Sequence, residues 1–240
     1  MIKRALLGML TPSSNTVLEP VTSAMLSGVP GVSAHFSRFR VTEISLTEQA
    51  LNQFDDTALL EAALLLADAK VNVIAWNGTS AGWLGFEADV RLCDRITAAT
   101  GIPATTSVLA LNEIFHSRGV QEFGLVTPYL PTVQERIIAN YRYHGFHCIA
   151  EQHLGQQVNF SFSEVEPDAI ATMIRTVAAA KPQAITTFCT NLRAAPLLHQ
   201  LEAEIKIPIY DTITVVLWKS LLLAGVDPSC IKGWGCLFEK

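Results

Sequence analysis

The chain has 240 residues, half of them apolar and 16% charged, with a formal net charge of −5 and a sequence pI near 5.7. That composition excludes a disordered chain, and the lack of a basic cluster excludes recruitment by nucleic acid or an anionic membrane surface. The length suits one large domain or two small lobes, with enough chain for a real core.

In chain order, Met1-Ile2-Lys3-Arg4 runs straight into an apolar strand, Ala5–Leu10, without an apolar leader. Thr11-Pro12-Ser13-Ser14-Asn15-Thr16 then supplies helix-capping side chains, and a helix is predicted from Val17 to Met25, ended by Gly28, Pro30 and Gly31. Val32–Phe39 reads as a second strand. Asp55, Asp56 and Thr57 cap an alanine- and leucine-rich helix, Ala58–Ala69, too short and too charged to span a bilayer. Val71–Trp76 is a β-branched strand, and Asn77-Gly78-Thr79-Ser80-Ala81-Gly82 is the junction after it. Glu87–Ala99 is helical, Ile102–Thr105 a strand, and Ser107–Ser117 a helix capped by Thr106 or Ser107.

The pattern then restarts. Phe123–Val126 is a strand followed by Thr127-Pro128-Tyr129. Leu130–Tyr143 is a helix with Pro131 in its first turn, where a missing donor costs nothing. Cys148–Leu154 is a strand, Pro167–Ala180 a helix, and Ala184–Phe188 a strand with Cys189 at its tip. A helix over Leu192–Glu204, a strand over Ile207–Tyr210 and a helix over Thr212–Leu223 complete the set. The tail Gly233–Phe238 reads as a docked coil. Alternation throughout predicts an α/β fold of parallel sheets with helices on both faces.

Three blocks recur in order. Gly8–Pro12 matches Gly124–Pro128, Lys70–Thr79 matches Lys181–Thr190, and Ile102–Val120 matches Ile207–Val226, at offsets drifting from 116 through 111 to 105 or 106. An internal duplication follows: two pseudo-symmetric lobes, residues 1–120 and 121–226, with residues 227–240 docking back as a tail. The last helix of the first lobe is free to pack across onto the second. Ligand-binding loops gather at the carboxyl ends of parallel strands. Pro12–Thr16, Gly78–Ser80, Thr127–Tyr129 and Cys189–Asn191 should therefore meet in one cleft between the lobes, with Gly78 at the position that matches Cys189.

At these motifs the chain resembles the aspartate/glutamate racemase superfamily, in its branch with arylmalonate decarboxylase and maleate cis-trans isomerase. Pro12–Thr16 and Thr127–Leu130 look like the isomerase. Gly78-Thr79-Ser80, Thr127–Tyr129 through Gln134-Glu135-Arg136, and Gly233–Glu239 look like the decarboxylase. The resemblance implies a cleft enzyme that needs no cofactor. Racemases and the isomerase generally carry one cysteine from each lobe, whereas the decarboxylase keeps the second and has glycine for the first. Cys189 with Gly78 follows the decarboxylase pattern.

The expected chemistry is that of a carbon acid. Loss of CO2 from a malonate, or of a proton beside a carboxylate, leaves an enediolate. Thr79, Ser80, Tyr129 and nearby N–H groups are the candidate donors to its oxygens, and Cys189 the acid that protonates it. A helix opening just after Cys189 would depress the thiol pKa. Pro12, Thr190 and Asn191 belong to the same loops. Asn15 and Asn159 resemble amides that hold substrate carboxylate in the isomerase; Asn15 serves equally well as a helix cap. Asn191 departs from the decarboxylase pattern, which has a glycine-rich turn there. The histidines show no metal-ligand spacing, and no metal is expected. Five cysteines with no CxxC pair suit a reducing cytoplasm.

The favoured reading is an arylmalonate-type decarboxylase acting on a small carboxylate or dicarboxylate, as a monomer or homo-oligomer. The alternatives are a maleate-type isomerase or a racemase, and, in another class, a non-catalytic dicarboxylate-binding protein. Symmetry adds one expectation: Gly78→Cys should introduce racemase activity.

Overall fold

The computed structural model describes residues 4–51, 53 and 56–239; the readings made on Met1–Lys3 and on Asp55 lie outside them. Alternating apolar segments give, in the first half, β1 (Ala5–Pro12), α1 (Leu18–Leu26), β2 (Val32–Phe39), α2 (Glu48–Leu51), α3 (Asp56–Asp68), β3 (Val73–Trp76), α4 (Ala81–Leu84), α5 (Phe86–Thr100), β4 (Ala104–Thr106) and α6 (Ser107–Ser117). The second half gives β5 (Glu122–Thr127), α7 (Pro131–Tyr143), β6 (His147–His153), α8 (Asn159–Phe162), α9 (Pro167–Ala178), β7 (Ala184–Thr187), α10 (Leu198–Ile205), β8 (Ile209–Asp211) and α11 (Thr212–Leu223). The tail docks through Leu237 and Phe238, both buried.

Two parallel four-stranded sheets result, ordered β2-β1-β3-β4 and β6-β5-β7-β8. The duplication reaches into backbone detail. Lys70 and Lys181 are both left-handed, at φ 52° and 55°, and so are Gly101 and Lys206, at 69° and 59°. These reversals stop each helix before the next strand. The Asn72 amide oxygen accepts Leu6 N–H, and the Gln183 oxygen accepts Glu122 N–H at the matching place. Left-handed Lys70 delays β3, which begins two residues later than the β-branched run suggests.

One helix is displaced more. Continuous helix from Leu192 does not form; residues 190–194 make turns, a 3-10 turn spans Ala195–Leu197, and α10 opens at Leu198. Pro196 is the cause. It lacks an N–H and disfavours helical backbone in the residue before it, so it sits at the start of a helical segment.

The lobes share one core. Apolar α11 packs on α6, β3 and β4, and α4 packs on α7. Phe115 of α6 crosses into the second lobe, 5.4 Å from Phe123 and 6.2 Å from Tyr210, ring centre to ring centre. Truncating such a ring to alanine typically costs about 3–5 kcal/mol, so the lobes are held in one relative placement.

Candidate active site

The carboxyl ends of β1, β3, β5 and β7 enclose a small pocket between the lobes. Its polar groups are Thr79, Tyr129, Asn159, Cys189 and Thr190; its apolar walls are Pro12, Val41, Ile44, Trp76 and Trp83. Among the described residues, no side chain lining it is charged. The enclosed volume is about 20 Å³, roughly the space of one water.

Cys189 is 2% exposed and sits on the second-lobe side. Its sulfur accepts the Asn191 N–H at 3.4 Å and hydrogen-bonds the Tyr129 hydroxyl. The same hydroxyl lies 2.7 Å from Thr79 Oγ1. Thr79, Tyr129 and Cys189 thus form one chain from the first lobe to the second. The expected helix N-terminus behind the sulfur is absent, because Pro196 postpones it. Burial pushes the thiol up to about 12, outweighing the Tyr129 hydroxyl and the turn N–H groups that favour thiolate. The expectation of a depressed thiol is therefore corrected: at neutral pH this sulfur carries its proton. Tyr129 is likewise raised well above 10 by burial, then by the neighbouring cysteine.

Below Cys189 lies a buried polar pair. Thr187 donates to Asp211 Oδ2 at 2.6 Å, while Oδ1 caps α11 through Ile213 N–H at 2.8 Å. Burial raises Asp211 to about 7, opposed by the Thr187 hydroxyl and the cap N–H groups.

The remaining candidates divide. Pro12, Gly78, Asn159 and Thr190 line the pocket; Asn15, Ser80 and Asn191 do not. Asn15 caps α1 through Val17 and Leu18 N–H, and its amide donates to Thr190 O at 3.0 Å and Oγ1 at 3.2 Å. Thr190 in turn donates to Asn77 O at 2.9 Å. Asn191 accepts Thr16 N–H at 3.0 Å and donates to Asn159 O at 2.6 Å. Both asparagines stitch the lobes together. Ser80 precedes α4, buried and without a capping bond from its side chain.

Gly78 has a neighbour that the duplication did not reveal. A Cβ built there would fall inside the indole of Trp76, itself buried and 5.0 Å from Phe39, ring centre to ring centre. A cysteine at 78 does not fit beside that ring as it stands.

The pocket is roofed by two loops. Glu43 and Val158 form an antiparallel bridge, with Ile44 N–H on Gln157 O and Asn159 N–H on Thr42 O, both at 2.9 Å. This roof brings Val41 and Ile44 to the site. Sequence reasoning missed them, along with Trp76, Trp83 and Asp211. Strand alternation does place Trp76 and Gly78 on one face, and Asp211 before a helix is a cap signal; the roof has no local signal. Among the described residues no cluster of His, Cys, Asp and Glu could hold a metal ion, and no helix is long and apolar enough to cross a membrane.

Comparison with known proteins adds the following. The model of the family described as arylmalonate decarboxylase matches residues 7–238. A maleate isomerase of Nocardia farcinica (strain IFM 10152) is 26% identical over 245 residues, 98% of this chain and 95% of its own. An arylmalonate decarboxylase of Bordetella bronchiseptica is 23% identical over 186 residues, 76% of this chain and 78% of its own. Among solved structures, a Nocardia farcinica maleate cis-trans isomerase has the same fold, with a TM-score of 0.89 at 23% identity over 98% of each chain; it is a cysteine-to-serine variant with a covalently bound succinylcysteine intermediate.

Proposed function

The chain belongs to the arylmalonate decarboxylase family, and from that premise we propose that it is a cofactor-independent decarboxylase of a small substituted malonate, with Cys189 as the acid that protonates the enediolate. One observation carries this reading: a pocket with no charged residue among the described ones that line it, and with a protonated thiol and a hydroxyl pair as its polar side. One carboxylate of the substrate takes hydrogen bonds from Thr79, Tyr129 and neighbouring N–H groups. The other faces Val41, Ile44 and Trp83, where it loses hydration and leaves as CO2. The electrons of the broken C–C bond form the enediolate, whose charge falls on oxygens that already have donors. The Cys189 S–H proton then passes to the α-carbon, and the thiolate takes a proton from water. Delivery from one side predicts a single enantiomer.

Maleate-type isomerisation is the second reading, favoured by the near full-length likeness to a maleate isomerase. It would need a thiolate to add to the double bond, and among the described lining residues only Cys189 carries sulfur. Burial of that thiol speaks for the acid role.

The deciding experiment incubates the purified protein in D2O with 2-methyl-2-phenylmalonate and, separately, with maleate. CO2 and an α-deuterated, optically active 2-phenylpropionate are expected. Fumarate without CO2 release would replace this reading with the isomerase, and tight binding with no turnover of either would leave a carboxylate-binding protein.

A further inference from the structure

The tip of β3 holds an indole where a side chain at residue 78 would stand. Trp76 and Gly78 lie two apart and share a face, and the benzo edge of the ring occupies the space beyond the Gly78 Cα. Trp76 lines the same pocket as Cys189 but comes from the other lobe. The equivalent of Trp76 in the second lobe is Thr187, a small residue turned to Asp211. The indole is therefore peculiar to one half of the duplication. It is 1% exposed and packs on Phe39, so it has little room to swing away.

We infer that Trp76 is the specificity-determining residue of this pocket: it walls off the first-lobe face, excludes any side chain at position 78, and limits the size of the group on the substrate's α-carbon. The inference rests on the reading of the pocket as a carboxylate site. A ligand held by its carboxylate at Thr79 and Tyr129 turns one face of carbon 2 to the sulfur. The substituent beside that face has to fit against the ring. Exchanging the indole for a smaller apolar side chain enlarges the space without touching the hydroxyls or the thiol. Affinity for bulkier α-substituents should then rise while affinity for the smallest stays level. One methylene of room in an apolar pocket changes selectivity by roughly 10- to 200-fold.

The test measures binding, so it does not depend on turnover. Acetate, propionate, isobutyrate and phenylacetate are titrated by calorimetry into the unaltered protein and Trp76→Leu. The expected result is a rise of at least about tenfold in the affinity ratio of phenylacetate to acetate. Equal changes across the four ligands would overturn the inference and leave the decarboxylase reading standing. If none bound to either protein, the inference and the carboxylate site would fall together. Should Trp76→Leu not fold, Trp76→Phe gives the same comparison with a smaller loss of volume. A separate arm needs no ligand. Gly78→Ala should lower the melting temperature in the presence of Trp76 and lower it much less in the Trp76→Leu background. An equal drop in both would overturn the assignment of that space to the indole.

Discussion

The tips of β3 and β7 are the same piece of chain used twice. In the first lobe the sequence is Trp76-Asn77-Gly78-Thr79; in the second it is Thr187-Phe188-Cys189-Thr190. Each tip borders a neighbouring strand whose last residue caps the following helix, Thr106 on α6 and Asp211 on α11. The backbone is conserved between the halves and the contents are exchanged. One tip carries an indole and no side chain beside it. The other carries a thiol over a buried threonine and carboxyl. The first lobe thus presents a ring and a hydroxyl, and the second presents a thiol. A symmetric scaffold becomes one-sided through two positions, with no change in topology.

The comparison can be broken most directly at the sulfur. Cys189→Ala should lower product formation by roughly 10²- to 10⁴-fold, the usual worth of a positioned acid, with circular dichroism and melting temperature unchanged; full turnover in that variant would remove the thiol from the mechanism. Next comes the carboxyl beneath it. Asp211 titrates near 7 in the fold against 3.8 for an ordinary aspartate. A raised folded value means that its stabilising share is complete below about pH 3.8 and is lost as the pH climbs through about 7, a loss of up to about 4 kcal/mol. Urea unfolding at pH 5 and pH 8 should show stability falling across that interval, and Asp211→Asn should flatten the fall. An unchanged slope in the variant would assign it to other groups.

Tyr129→Phe removes the hydroxyl shared by Thr79 and Cys189, and activity should drop about 10²-fold, as on loss of one oxyanion donor. A change in KM alone would limit the hydroxyl to substrate binding. The smallest effect sharpens the contrast between the two tips. Gly78→Cys should destabilise by about 1–3 kcal/mol through overpacking, and should not exchange the α-hydrogen of a carboxylate in D2O while Trp76 is present. Combined with Trp76→Ala, the cysteine has room and exchange from the second face becomes possible. Exchange by the single variant would show that the indole yields its place easily.

Much of this was legible in the chain itself. Alternation and three repeated blocks predict two alike parallel sheets, since apolar strands joined through helices have little choice but to lie parallel. The pocket's thiol, its tyrosine and its threonine follow from strand ends. What escaped has physical reasons. The helix expected from Leu192 starts instead at Leu198, because Pro196 stands inside the expected span. Asn15 and Asn191 look like ligands because amides suit carboxylates, yet amides suit exposed backbone between two lobes equally well. Trp76 reads as a core tryptophan until the space beyond Gly78 is considered in three dimensions. The roof joins residues more than a hundred positions apart, so nothing local announces it.

The bridge between Glu43 and Val158 has a kinetic meaning. A hollow of about 20 Å³ is far smaller than a malonate, so on the proposed reading the two loops would have to part for entry and exit. The stitches from Asn15 to Thr190 and on to Asn77 lie elsewhere and need not break. On the proposed reading, how often this bridge opens would set a ceiling on turnover.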